Sequence, residues 1–285
     1  MKKIFLVIIS ILVILVVVLF LIFRPVAVST VVTENYNFSD KTYLTQDTTQ
    51  GALTIEMHLE LPITYQDQNT LDKIQTIIRT ELFGDSFANL PNDTLIQSFA
   101  YVLKDEYIQN NLDFADKISD NNRLVFNNSF LLEGFALLND EHIFSYGISR
   151  FVDFGGTHPT KTRFFYNFNL SSGNIILEQD LFQDDYMTEL SAIIRKKITE
   201  DHQNIEELPD NVQVDEMTFS YEAIKPNGNF YINDEGICYV FNPYEIAPYY
   251  IGETEVILPY QLISHLMKTD NPVSYLVTAA LKKQQ

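Results

Sequence analysis

The stretch NFYINDEGICYVFNPYEIAPYYIGETEVILPY, residues 229–260, decides the fold. Phe230 and Ile232 lead into Asn233-Asp234-Glu235-Gly236, a composition that predicts a tight turn with Gly236 at positive φ. Beyond it, Ile237, Tyr239 and Phe241 fall on one face of a strand, and Cys238 and Val240 on the other. Both faces are apolar, which predicts a central strand covered on both sides. Asn242-Pro243 ends it, because proline donates nothing to a ladder and restricts the residue before it. An aromatic loop follows, holding Tyr244, Glu245, Pro248, Tyr249 and Tyr250 before Gly252. The chain then enters a third strand over Glu253–Leu258, and Pro259 suits the first turn of a helix.

The same reading works outward from this segment. Thr162–Asn169 alternates Phe164, Tyr166 and Phe168 with Arg163, Phe165 and Asn167, and Ser171-Ser172-Gly173 returns it as a hairpin through Ile175–Leu177. A helix starting near Asp184-Asp185 buries Met187, Leu190, Ile194 and Ile198. Earlier, Leu53, Ile55, Met57, Leu59 and Leu61 alternate with polar residues, His58 among them, as in a half-buried strand. Two helices follow it. One is capped by Asn69 or Thr70, carries Leu71, Ile74, Ile77, Ile78 and Leu82, and stops at Gly84. The other opens at Pro91-Asn92-Asp93 and carries Leu95, Phe99, Val102, Leu103 and Tyr107. Strands are expected over 124–138 and 142–154, with Asn139-Asp140 at the turn. Short helices close the chain after Tyr260 and after Pro272. This order predicts an α+β fold of mixed or antiparallel sheets, each with helices packed on one face. The expected organisation is an N-terminal domain over 29–150 and a C-terminal one over 151–285.

Ile4–Phe23 is a 20-residue apolar run interrupted only by Ser10 and preceded by Lys2-Lys3. As a helix it spans about 30 Å, the thickness of a hydrocarbon core. Residues 1–28 are therefore expected to be a signal anchor or transmembrane helix, cytoplasmic at its N-terminus, with the body exported. Ala27-Val28-Ser29 leaves cleavage as the alternative. No cysteine flanks the run, which excludes a lipoprotein anchor; Cys238 is the only cysteine, so no intramolecular disulfide forms. The formal charge is −19. Without Lys2, Lys3 and Arg24, the only charged residues before Ser29, the body sets 16 basic against 38 acidic residues, or −22. Such a body repels nucleic acid and attracts cationic partners.

The run Gly236…Tyr244-Glu245-Ile246-Ala247-Pro248…Gly252…Ile257…Pro259-Tyr260 resembles the C-terminal domain family of RsiV-type anti-sigma factors, a domain of unassigned function in exported bacterial proteins. Gly156-Thr157-His158-Pro159, Ser172-Gly173 and Leu177…Asp180-Leu181-Phe182 extend the resemblance over about residues 150–268. Residues 30–150 are similar, by order of elements, to the domain preceding it in a peptidoglycan deacetylase relative. The resemblance implies an extracytoplasmic location, and a receptor role toward a strongly basic protein such as lysozyme. It does not carry over sigma-factor binding, since only Met1-Lys2-Lys3 precedes the apolar run. Nor does it carry over deacetylation, whose catalytic domain has no counterpart in this sequence.

Chemistry-bearing motifs are sparse. There is no GxGxxG, Walker A, HExxH, GxSxG or EF-hand loop, and no spacing points to a metal or cofactor. Ser119-Asp120-Asn121 with Lys161-Thr162 imitates part of a penicillin-binding site, but no serine has a lysine three residues later, so the nucleophile is missing. Two places remain. Gly155-Gly156-Thr157-His158-Pro159 pairs close-approach glycines with a titratable ring. The loop around Glu245 offers Tyr244, Tyr249 and Tyr250 as contact residues. Two readings stay open. One is a membrane-tethered binding module for a basic protein or a peptidoglycan fragment, with His158, Tyr244, Glu245, Tyr249 and Tyr250 at its surface and no catalytic residue. The other is an envelope hydrolase using a His158/Glu245 pair.

Overall fold

The structure, a computed structural model, describes residues 29–118, 123–156, 158–203 and 219–283; the expected membrane anchor lies outside them. Among the described residues, no helix is long and apolar enough to cross a membrane. Six strands form one mixed sheet in sequence order: β1 (Val32–Tyr43), β2 (Ala52–Thr64), β3 (Asn127–Asn139), β4 (Ile143–Asp153), β5 (Thr160–Asn169) and β6 (Asn174–Ile175). Only β2 and β3 run parallel, and α1 (Gln68–Phe83) and α2 (Asn92–Asn111) make the crossover that a parallel pair requires. Residue 150, where the sequence suggests a junction, lies inside β4, which pairs with both β3 and β5.

The helices cover one face of this sheet. Leu53, Ile55, Met57, Leu59 and Leu61 point from β2 into the same cluster as Leu71, Ile74, Ile78 and Leu82 of α1 and Leu95 of α2. Asp67 caps α1 by accepting from the Thr70 amide at 2.7 Å, in place of the expected Asn69 or Thr70, and Thr70 itself is buried. At the other end of α1, the Arg150 guanidinium donates to the Glu81 and Leu82 carbonyls at 3.2 Å each, a cation against the negative helix terminus. Along α2 the buried positions are Leu95, Ile96, Ala100 and Tyr107; Val102 turns outward, one position off the apolar stripe.

A second sheet of β7 (Phe230–Ile232), β8 (Gly236–Phe241) and β9 (Thr254–Pro259) lies on the opposite face, with β8 central as its two apolar faces require. Its Cys238, Val240 and Tyr231 meet Phe135 and Phe165 of the first sheet. Ser145, Gly147 and Ser149 keep β4 low enough for this approach, since a Cβ on Gly147 would lie 2.5 Å from the Phe135 ring. The outer face carries Phe230, Ile232, Ile237, Tyr239, Phe241, Val256 and Leu258 into a further core. There they meet Leu181 of α3 (Glu178–Leu181), and Leu190, Ile194 and Ile198 of α4 (Tyr186–Gln203). Tyr260 and Ile263 of α5 (Tyr260–Ile263) and Ala280 of α6 (Ser274–Lys282) complete it. Met187, expected inside, is 43% exposed because it precedes the buried stripe of α4. The layers are thus helix, sheet, sheet, helix, an α+β fold.

Gly236 departs from expectation. It has no positive φ; a Cβ there would lie 2.1 Å from the Leu258 carbonyl oxygen, so close strand approach is what demands glycine. The turn is closed instead by Asn233, whose Oδ1 accepts from the Glu235 and Gly236 amides.

The two sheets are joined along the outer edge of β5. There β6 pairs only with Phe168 and Asn169. Next to it the Asn167 carbonyl accepts from the Ile176 amide at 2.7 Å, and at Arg163 and Phe165 the edge bonds to side chains. The Arg163 amide donates to Asn242 Oδ1 at 2.7 Å, and the Arg163 carbonyl accepts from Nδ2 of Asn242 (3.0 Å) and of Asn229 (2.9 Å). The Phe165 amide donates to Asn229 Oδ1 at 3.1 Å. Asn167 reverses the arrangement, donating to the Phe230 carbonyl at 2.8 Å and accepting from the Ile232 amide at 2.9 Å and the Ser145 hydroxyl at 2.7 Å. All three asparagines are buried. A carboxamide carries the donor and acceptor of a peptide group, so each acts as a short piece of strand. Asn139 does the same for Val31, accepting from its amide and donating to its carbonyl. Removing Asn167 leaves the Ile232 and Phe230 backbone groups unbonded in the interior. Asn167→Ala is expected to lower stability by about 2–4 kcal/mol in urea unfolding, whereas Asn35→Ala on the exposed edge stays within about 0.5 kcal/mol.

Candidate functional site

The candidate residues lie at the tip where the β4–β5 hairpin meets the β8–β9 loop. On the hairpin, Gly155 has φ 76, and a Cβ there would lie 2.1 Å from the Val125 carbonyl oxygen, so the hairpin packs directly on backbone. His158 beyond it is exposed. On the other side Asn242, Pro243, Tyr244 and Glu245 form a turn closed by the Glu245 amide donating to the Asn242 carbonyl at 3.0 Å. Pro243 sits at the second position. Tyr244, with φ 72, holds the third, which in a type II turn normally takes glycine. It is the one non-glycine residue with positive φ among the described residues.

Ile246 and Ala247 anchor the loop in the core, and the Ser220 amide donates to the Ile246 carbonyl at 2.7 Å. Tyr249–Ile251 then makes a single 3-10 turn. The Tyr249 hydroxyl donates to the Pro159 carbonyl at 2.9 Å, tying the loop to the hairpin. Its ring stacks on His158, with centroids 4.6 Å apart and planes 17° from parallel. Tyr244 packs against Tyr249 at 5.5 Å. The result is a column, Tyr244–Tyr249–His158, contributed by two loops and open to solvent. Tyr244 is 66% exposed and Tyr250, on the same 3-10 turn, 62%; Phe154 is exposed on the hairpin.

Glu245 does not join this column. Its Oε2 accepts from the Asn242 amide and from Asn227 Nδ2, both at 3.1 Å. Among the described residues it makes no bond to His158, so no acid–base pair is assembled. Beneath the tip lies an ion cluster that sequence reasoning missed. Arg163 donates to Glu253 at 2.6 Å and Glu255 at 3.1 Å, and Tyr231 donates to Glu255 at 2.6 Å. Burial would lower the Arg163 pKa, but Glu253 and Glu255 together outweigh it and the value is raised. Burial likewise pushes the Glu255 carboxyl up, and the bonds from Tyr231 and Arg163 bring it net below the ordinary 4.5. Burial pushes the Cys238 thiol well up, so it is an inert core thiol. Among the described residues, no group of three or more His, Cys, Asp or Glu is placed to hold a metal ion.

The family model described as "Protein of unknown function (DUF3298)" matches residues 179–261, a span holding α4, both β7–β9 connections and the Tyr244–Tyr250 loop, but not the His158 hairpin. Among solved structures, a DUF3298 family member from Bacteroides fragilis NCTC 9343 superposes with a TM-score of 0.76 at 19% identity, covering 87% of this chain and 97% of that one. A DUF3298 family protein from Pseudomonas aeruginosa PAO1 gives a TM-score of 0.53 at 13% identity, covering 83% and 94%. At these identities the likeness is one of fold. No curated protein matches.

Two outcomes follow from the geometry. Tyr244→Gly relieves a left-handed backbone worth about 1–2 kcal/mol against a glycine entropy cost of about 0.5–1, so thermal unfolding should show a gain of about 0.5 kcal/mol. Because the Glu255 value is lowered on folding, its contribution is complete above pH 4.5 and is lost as pH falls through the folded value. Glu255→Gln should therefore flatten the acid limb of a stability–pH profile measured by denaturant titration.

Proposed function

We propose that the chain is a membrane-tethered, outward-facing binding module that receives a cationic protein of the lysozyme type on the Tyr244–Tyr249–His158 column. The observation that carries the reading is the conformation of Tyr244. A large aromatic is held at positive φ and displayed to solvent where glycine would be easier. Backbone strain of this kind persists where the surroundings enforce it, and it concentrates at ligand contacts. Tyrosine supplies broad contact area with a polar tip, as interface anchors do. The stack is preorganised by the Tyr249–Pro159 bond, which reduces the ordering cost of association. The acidic body supplies long-range attraction to a basic partner over roughly a Debye length, about 10 Å at 0.1 M salt. Tethering rests on the Ile4–Phe23 run, and the basic partner on the resemblance to RsiV-type receptors.

The hydrolase reading finds less support. Glu245 spends one carboxylate oxygen on Asn227 and the Asn242 amide, and His158 has no carboxylate partner among the described residues.

The test is titration calorimetry of the full chain in detergent with lysozyme as probe. Saturable binding at low salt is expected, weakened about tenfold or more by Tyr249→Ala and by Tyr244→Ala. Raising salt from about 0.05 M to about 0.5 M should weaken it further. No binding at low salt removes the proposal; hydrolysis of wall fragments that His158→Ala abolishes without unfolding would replace it with the enzyme.

A further inference from the structure

A second recognition surface lies at the far side of the first sheet, away from the aromatic tip. Among the described residues β1 is the terminal strand, and its outer row of backbone amides and carbonyls faces no neighbouring strand there. It is 12 residues long. Edges of that length are normally blunted or covered. Beside it runs a groove of about 590 Å³ between β1 and α2, walled by Phe38, Phe87, Tyr101 and Val102 and closed at one end by the Lys104–Asp40 ion pair at 2.7 Å. Tyr101 is 67% exposed although it lines apolar surface. An unpaired edge flanked by a helix and an apolar groove is the arrangement in which an extended peptide adds as a further strand.

The two sides of β1 define what such a strand must carry. Phe38 lies opposite Met57 on the helix-covered face, so alternate residues of an added strand would enter the groove. Ser39 lies opposite Glu56 on the other face, where Glu56, Glu60 and Glu133 of β2 and β3 outnumber Lys41. Glu56 is half exposed there, not covered by the second sheet. The remaining alternate residues of the added strand would look along this acidic face. We infer that β1 and α2 form a docking site for an extended peptide of alternating apolar and basic residues, added to the sheet edge. The site is separate from the Tyr244–Tyr249–His158 column and does not rest on its role.

The probe is a fluorescein-labelled, end-capped heptapeptide, Lys-Val-Lys-Phe-Lys-Val-Lys, titrated with the full chain in detergent and followed by anisotropy. Two N-methylated versions block alternate amides in the two frames. Saturable binding is expected, weakened about tenfold or more by Tyr101→Ala and unchanged by Tyr249→Ala. One methylation frame should abolish binding and the other leave it, because only one set of amides faces β1. Absence of saturable binding overturns the inference. So does equal binding of the two methylated peptides, which would reduce it to diffuse charge attraction. Loss of binding with Tyr249→Ala rather than Tyr101→Ala would place the peptide at the aromatic tip, and is equally contrary.

Discussion

The outer edge of β5 at Arg163 and Phe165 is partly buried, polar and without a partner strand among the described residues, and the molecule depends on how that edge is satisfied. Backbone groups taken from water without a hydrogen bond each cost on the order of 1–3 kcal/mol. Asn229 and Asn242, flanking the second sheet's strands, meet these groups with side-chain amides, and Asn167 of β5 in turn meets the Phe230 carbonyl and Ile232 amide of β7. They also fix the relative position of the sheets. Apolar contact between Phe165, Tyr231, Cys238 and Val240 alone would tolerate sliding; paired donors and acceptors do not. Asparagine is suited to this because aspartate accepts only and cannot serve a carbonyl.

The candidate site inherits its geometry from this joint. Asn242 grips Arg163 and then, within two residues, the chain turns through Pro243 and Tyr244. The hairpin tip and the aromatic loop are therefore referenced to each other before Tyr249 bonds Pro159. The Arg163–Glu253–Glu255 cluster closes the same corner from below. The strain at Tyr244 is held by that framework: Asn242 locked on one side, Ile246 and Ala247 buried on the other. What the framework exposes is an aromatic column. His158 is stacked on Tyr249, and Glu245 is bonded to the Asn242 amide and to Asn227.

Much of the fold was legible because burial leaves a periodic trace. The two-sided apolar pattern of 237–241 identified a central strand, and the 53–61 alternation identified β2 with its covered face. Errors fall where a residue's role is set by something distant. Gly236 reads as a turn glycine, yet its constraint comes from Leu258 across the ladder. Asn242 beside proline reads as a strand stop, and Asn167 as the polar half of an alternation. Their bonds to Arg163, Phe230 and Ile232 cross 63–79 residues and leave no local signature. The site was legible as residue types but not as an arrangement. Tyr249 and Pro159 meet across 90 residues, and only the docking of two sheets brings them together. That Glu245 bonds Asn227, 18 residues away, was equally invisible.

The claim that side-chain amides replace a strand at this joint is tested most directly by amide hydrogen exchange at Arg163, Phe165 and Ile232. No ladder bond protects the Arg163 and Phe165 amides on the outer edge, and the Ile232 amide is met by Asn167 alone. Exchange as slow as that of the buried β8 ladder, through global unfolding only, is the expected result. Exchange at the rate of exposed loop amides, while β8 stays protected, would contradict it.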